Sequence, residues 1–240
     1  MTALQEPSAT RESALKQLDS DLWVATRPLP IAVGDVGARM TVIRTRGDVL
    51  LHSPVTLDAA TKQAVDALGV VRWIVAPNKA HHLFVAPWAI AYPNAATCAP
   101  PGLAEKRRDL RFAMTLDDGP KPTDWPDELD YLLVGGAPLL NELAFLHRPS
   151  RTLVLTDLVF NVRAGESNRA RFFHWIVGAT GRFGPHRLIR SSFRKRSAVG
   201  AAIERVLTWD FDRIVMSHGH VLETGGRAAL ERAFSFLRGG

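Results

Sequence analysis

The run VVRWIVAP, residues 70 to 77, is the segment that most narrows what this chain can fold into. It is a continuous apolar run of strand length, so a strand built from it is buried on both faces. Cover for such a strand comes from its neighbours. TLDAATKQAVDALG before it reads as a helix, with Thr56 or Asp58 as the N-cap and Gly69 as the stop. LFVAPWAIAYP after it reads as a short helix interrupted by Pro87. Between strand and second helix stand two adjacent histidines, His81 and His82. Neighbouring side chains point to opposite faces on a strand and sit about 100° apart on a helix. A histidine pair there either caps a loop or marks a loop that curls until both rings reach one metal ion.

Short β-branched and aromatic runs, DLWVATRPLPIAV and MTVIRTRGDVLLHSP, precede the first helix and are separated by turn signals at Gly34, Gly37 and Arg46-Gly47-Asp48. They predict an antiparallel meander. Further on, ATCAPP reads as a buried strand, GLAEKRRDLRF as a short helix, ELDYLLVGG as a strand, and NELAFLHRPSRTLVLTDLVFNV as strand, turn, strand. Residues 165–208 read as mostly helical, with ESNRARFFHWIVGAT and SAVGAAIERVLTWD as two helices and a composition suited to a lid; a last strand DRIVMSHG and a last helix GGRAALERAFSFLRG follow. Strands and helices occur in both halves and no Pro/Gly/Ser-rich linker divides them. The expectation is one domain of two αβ halves packed sheet against sheet, helices outside, preceded by a loosely held segment over residues 1–18.

Composition excludes several classes. The N-terminus has no apolar stretch of a signal peptide and no run nears the roughly 18 apolar residues of a membrane span. One cysteine, Cys98, cannot form an intramolecular disulfide, so the expected location is the cytoplasm. A hydrophobic content of 46% with 22% charged residues is that of a chain able to bury a core. The net charge of +6 is uneven: DDGPKPTDWPDELD (117–130) is an acidic loop, whereas GRFGPHRLIRSSFRKRS (181–197) is strongly basic. The basic segment is either a solvated face or an attractor of anions.

The chemistry-bearing residues collect at the ends of predicted buried strands. VVRWIVAP leads to His81 and His82, RTLVLTD ends on Asp157, and DRIVMSHGH carries His218 and His220. Loops at strand ends are positioned by a rigid sheet, and imidazole with carboxylate is the donor set of zinc, iron and manganese. Each residue singly is weak evidence, since a histidine at a strand end often bonds locally and an aspartate often caps a turn. His147 and His186 sit beside prolines or in turns, and His174 lies in an aromatic-rich helix. No phosphate-binding Gly-rich loop is present, and no serine lies in a G-x-S-x-G elbow.

The stretches SPV (53–55), PNKAHHLF (77–84), APPGLAEKRRDLRF (99–112), SRTLVLTDLVFN (150–161) and SHGH (217–220) resemble the metallo-β-lactamase-fold superfamily, and within it an uncharacterised domain-of-unknown-function subgroup. The resemblance spans most of residues 20–240 and implies a four-layer αββα sandwich of two mixed β-sheets, with residues 19–240 as a single domain. Members place a His-x-His-x-Asp-His loop after a buried strand. Laid on that loop, Pro77 and Lys79 stand where the first two histidines belong, His81 stands at its aspartate and His82 at its last histidine. Pro138 is the residue nearest by spacing to the family's next histidine, Asp157 matches the bridging carboxylate, and His218 the final histidine. What is lost here holds the family's first metal; what is kept or exchanged holds the second.

The resemblance and the donor chemistry together give a single site of one divalent ion (zinc, iron or manganese) held by His81, His82, Asp157 and His218. For zinc, four protein ligands are a closed tetrahedral set. Asn78, His220 and His52 are the expected orienting neighbours. Lys79, with Asp157, is a candidate catalytic group if its ammonium enters the vacated first-metal position. The function implied is metal-dependent hydrolysis of an ester, lactone or related small molecule, anionic ones included. The alternatives are a non-catalytic domain of the same fold, binding a structural ion, small ligand or protein, and a polyanion binder built on residues 182–196. Phe183 and Phe193 there are possible stacking partners, although no nucleic-acid-binding motif is present.

Overall fold

A computed structural model describes residues 14–31, 34–162 and 182–238. Two sheets face one another. The described residues begin with β1 (Lys16–Asp19), β2 (Leu22–Arg27), a small antiparallel pair of β3 (Pro30–Ile31) and β4 (Gly34–Asp35), then β5 (Ala38–Thr45) and β6 (Asp48–His52). Helix α1 (Ala59–Asp66) leads to β7 (Val70–Val75), α2 (Val85–Ala91) to β8 (Ala96–Ala99), and α3 (Leu103–Lys106) to β9 (Met114–Thr115). These form a seven-stranded sheet in the order β1-β2-β5-β6-β7-β8-β9, antiparallel up to β6 and parallel from β6 to β9. The second sheet takes β10 (Leu129–Val134), β11 (Glu142–His147) and β12 (Thr152–Val154). After β13 (Phe160–Asn161), β14 (Phe183–Gly184), α4 (Arg187–Ser191) and α5 (Arg196–Leu207), it closes with β15 (Arg213–Val215), parallel to β12. Helix α6 (Gly226–Phe234) ends the described chain with a short 3-10 turn.

Side-chain alternation explains the layering. On β11 all six residues are buried, because Leu143 and Phe145 face the first sheet while Ala144 and Leu146 face α5 and α6. On β7, Trp73 and Val75 enter the space between the sheets, and Val71 and Ile74 pack under α1 and α2. An extra residue, Arg72, sits in the β6–β7 register and makes that change of phase possible. Three apolar layers result, one between the sheets and one under each set of helices. This is the expected αββα sandwich of two mixed sheets.

Local chemistry decided several boundaries. Arg46 and Gly47 both have positive φ, the geometry of a two-residue turn that follows the strand twist, so β5 and β6 form a tight hairpin. Asp58, not Thr56, caps α1, accepting from the Thr61 N–H at 2.7 Å. Pro87 does not interrupt α2: it lies in the first turn, where an N–H has no helical partner to lose. GLAEKRRDLRF gives only the four-residue α3. Residues 16–18, expected in a loose segment, form β1 with Asp19 against β2. The acidic loop is not wholly superficial, since Trp125 inserts between the sheets against Trp73 and Tyr131. The helix expected over ESNRARFFHWIVGAT, with His174, lies outside the described residues.

His52, expected beside the metal loop, belongs instead to the inter-sheet core. Its ring meets Phe145 edge-on at 5.0 Å and its Nε2 has no hydrogen-bond partner. Burial, with a lesser push from His81, takes its pKa down to about 3. His147 is likewise buried and lowered by burial. An unfolded histidine protonates at about pH 6.5. Both folded values lie below that, so the unfolded chain binds more protons under pH 6.5 and stability falls as pH drops toward the folded values. The melting temperature should therefore decline from about pH 6.5 to about pH 4, and His52→Leu should flatten the decline. Equal slopes for the two proteins would show that His52 is not held neutral.

Candidate metal centre

The parallel strands β6, β7, β12 and β15 end on the same side of the molecule, and the residues after them meet. Ser53 follows β6, the loop from Asn78 to His82 follows β7, Thr156 and Asp157 follow β12, and Ser217 and His218 follow β15. One donor atom from each of His81, Asp157 and His218 lies within 4.8 Å of the others. His81 Nε2 is 3.2 Å from Asp157 Oδ2, and His218 Nε2 is 3.3 Å from Asp157 Oδ1. All three side chains are nearly shut off from solvent.

The opposite nitrogen of each imidazole is already engaged. His218 Nδ1 donates to the Gly37 carbonyl at 2.7 Å, and since a carbonyl only accepts, the Nε2 of the neutral ring is a bare lone pair. His81 Nδ1 is 2.8 Å from Ser53 Oγ, which can accept its proton. In the tautomer in which each Nδ1 carries the ring proton, two Nε2 lone pairs and a carboxylate face one point, and these three residues fit a divalent metal ion. Without an ion, a ring N–H turned to Asp157 satisfies the same contacts. Burial would raise the Asp157 carboxyl, but His81 and His218 hold it well below the usual carboxylate range. Burial opposes charge on His218 too, and Asp157 lifts it above its ordinary value.

Ser53, His81 and Asp157 also stand in the order of a nucleophile–base–acid relay, and Ser53 has φ +56°. Ser53 is only 2% exposed, however, so no electrophile can approach its hydroxyl. Its part is to fix the His81 ring.

The adjacent histidines diverge. The Asn78 side-chain carbonyl accepts the N–H groups of Ala80 (2.7 Å) and His81 (2.8 Å), turning the chain so that His81 faces inward. His82 points the other way, its Nδ1 2.5 Å from the Arg107 guanidinium. Arginine can only donate, so that lone pair is spent on Arg107 and the other ring nitrogen carries the proton. Burial, Lys106 and Arg107 pull His82 down to about 4. Of the four residues read as ligands from the sequence, His81, Asp157 and His218 stand together and His82 stands apart. His220 is exposed, and it is its backbone that bonds Asn161; its ring does not orient a ligand. Lys79 donates to the Pro138 carbonyl at 3.2 Å, so two of the three positions read as standing for first-metal histidines bond each other.

Asn78, read from the sequence as an orienting neighbour, lies against Asp157. It is fully buried and donates to Asp157 Oδ2 (2.8 Å), Thr156 Oγ1 (2.9 Å) and Glu142 Oε2 (3.1 Å). Glu142 escaped the sequence reading. Its carboxylate accepts the backbone N–H groups of Thr156 (2.7 Å), Asp157 (2.7 Å) and Leu158 (3.1 Å), shaping the loop that presents Asp157. Burial and the neighbouring Asp157 push Glu142 above its ordinary value, and those N–H donors pull it back. The one visible signal was a charged residue opening the otherwise apolar run ELAFLH. Arg39 was missed as well: its guanidinium donates to the carbonyls of Met216 (2.6 Å) and Gly219 (2.8 Å) and pins the His218 loop. Phe160 lies flat on the His218 ring, 5.5 Å away with the planes 7° apart. Gly219, with φ +87°, could not be replaced, because a Cβ would sit 2.4 Å from the Asn161 carbonyl oxygen.

This is the architecture of the metallo-β-lactamase fold, with two histidines and an aspartate gathered at its strand ends. A family model described as "Domain of unknown function (DUF4336)" matches residues 20–171, and the chain belongs to that family. No curated protein sequence matches the chain. Among solved structures, it is similar to a metallo-β-lactamase from Pontibacter korlensis, with a TM-score of 0.64 and 13% identity over 94% of this chain and 99% of that one. A metallo-β-lactamase from Hirschia baltica gives 0.62 and 14% over 93% and 96%. The metallo-β-lactamase FIM-1 from Pseudomonas aeruginosa, in a mono-zinc form, gives 0.61 and 14% over 93% and 94%. At these identities the likeness is one of fold.

Glu142→Ala should be among the most damaging single substitutions away from the donor residues. It leaves three buried N–H groups without acceptors, at a cost of about 3 kcal/mol or more. Urea unfolding of the ion-free protein checks this; a loss under about 1 kcal/mol would mean that water replaces the carboxylate.

Proposed function

We propose that this chain is a metal-dependent hydrolase of small molecules, with esters and lactones as the first substrate classes, working through one divalent ion held by His81, Asp157 and His218. The observation that carries the reading is the orientation of the two rings, each with its Nδ1 engaged and its Nε2 turned to Asp157. The divergence of His82 strengthens it. Four protein ligands would close a tetrahedral zinc site, whereas three leave the position a catalytic site keeps for water or substrate. Zinc suits this set with one further ligand; iron or manganese would leave more positions open. When bound, such an ion supplies Lewis acidity toward a substrate oxygen and acidifies a water.

The residues of the chain divide the remaining work. Asn78 and Glu142 fix the Asp157 loop, Ser53 and the Gly37 carbonyl fix the rings, and Phe160 shields one face of His218. Lys79 spends one ammonium proton on Pro138 and keeps two for an anionic substrate group. The solved metallo-β-lactamases support the fold side of this reading, and the mono-zinc FIM-1 form is a related fold with one ion.

Metal content of the purified full chain, measured by mass spectrometry alongside an ester and lactone screen, tests the proposal. About one ion per chain is expected, lost in His81→Ala and in His218→Ala and retained in His82→Ala. Hydrolysis should follow the loaded fraction. No ion after reconstitution with zinc, iron and manganese sinks the reading. A retained ion with no turnover across the screen assigns the centre a structural role instead.

A further inference from the structure

The basic segment has no part in the metal centre, yet its arginines are not scattered. Arg182 precedes β14, Arg187 and Arg190 lie on α4, and Arg232 comes from α6. All four are exposed and line one groove of about 480 Å³, and no acidic side chain lines it among the described residues. Two distant parts of the chain build this groove. Gly184 lets them approach, since a Cβ on it would come within 3.1 Å of the Ala233 Cβ on α6. Arg238, by contrast, is neutralised by Glu204 and Glu231, both at 2.7 Å. Among the described residues, no carboxylate pairs with Arg182, Arg187, Arg190 or Arg232. Arg190 lies over the Phe236 ring at 3.8 Å, which orders it without cancelling its charge.

Four uncompensated guanidinium groups around one groove repel one another, and the ligand that relieves this is compact and multiply negative. The planar guanidinium fork matches phosphate oxygens in pairs, and the volume falls within the ~300–1,000 Å³ of small-molecule sites. We propose that this groove binds a ligand carrying two or more linked phosphate groups. The sequence also left open a single-stranded nucleic acid stacked on Phe183 and Phe193. The structure counts against it, because Phe193 is buried in the helix-side core and Phe183 packs against the same cluster. Phe193 therefore offers no face to a base, and the half-buried Phe183 is left as a single ring where stacking of successive bases uses several. The groove lies across β13 from the metal centre: Gly184 pairs with Phe160, which stacks on His218. The proposal does not depend on an ion being bound there.

Calorimetric titration of the full chain with inorganic tripolyphosphate at low ionic strength tests this. Saturable binding at one site per chain is expected, weakening as salt is added. It should fall roughly tenfold or more in Arg187→Gln/Arg232→Gln and hold in Arg194→Gln, which changes the same basic segment outside the groove. It should persist in His81→Ala/His218→Ala, which removes the metal centre as a source of phosphate affinity. Three results would overturn the proposal: no saturable binding, an equal loss in Arg194→Gln, or tighter binding of a short single-stranded RNA than of tripolyphosphate.

Discussion

The Glu142 carboxylate and the Asn78 amide form the polar bond on which the rest of this centre depends. Asn78 follows a strand of the first sheet, Glu142 opens a strand of the second, and Asp157 lies between them. Apolar packing holds the sheets together, but it is non-directional and tolerates sliding by a fraction of an ångström. Hydrogen bonds between fully buried groups do not, because each one broken leaves a donor or acceptor with no water to turn to. The bond therefore fixes the relative position of two loops, and with it the spacing of His81 and Asp157.

From that position the rest of the site follows outward. Asn78 turns the chain so that His81 points in and His82 points out, and Asp157 accepts from Asn78 with the same oxygen that faces His81. The His218 loop is held separately, by Arg39 on its carbonyls and by Gly37 on the ring. Each donor residue is thus oriented by a neighbour on another strand. Such preorganisation keeps a donor set together even though its members repel one another as lone pairs. It also explains why His81, Asp157 and His218 stand together although Pro77 and Lys79 occupy places where the resemblance puts histidines.

Much of this was legible in the sequence because strand-end chemistry is local. A buried run such as VVRWIVAP must end somewhere, and donors just beyond three such runs were readable as a possible cluster. His81, Asp157, His218 and Asn78 came together as expected. Glu142 was illegible because a glutamate at a strand start is ordinarily solvated, and nothing local shows that another loop will cover it. Arg39 was illegible for a related reason: its partners are backbone carbonyls 177 and 180 residues away, which leave no mark in composition.

The sequence by itself determined the alternation of strands and helices, the two-sheet sandwich and the strand ends at which donors would sit. Apolar periodicity and turn chemistry act over a few residues and can be read there. Only the tertiary structure decided which imidazole faced inward, since His81 and His82 are chemically identical until Asn78 and Arg107 take opposite sides of them. It alone joined Arg232 to the basic segment, because a groove between α6 and β14 exists only once the two pack. The physical reason is the same in both cases: the direction of a side chain is set by partners distant in sequence, and that information appears only when the chain closes on itself.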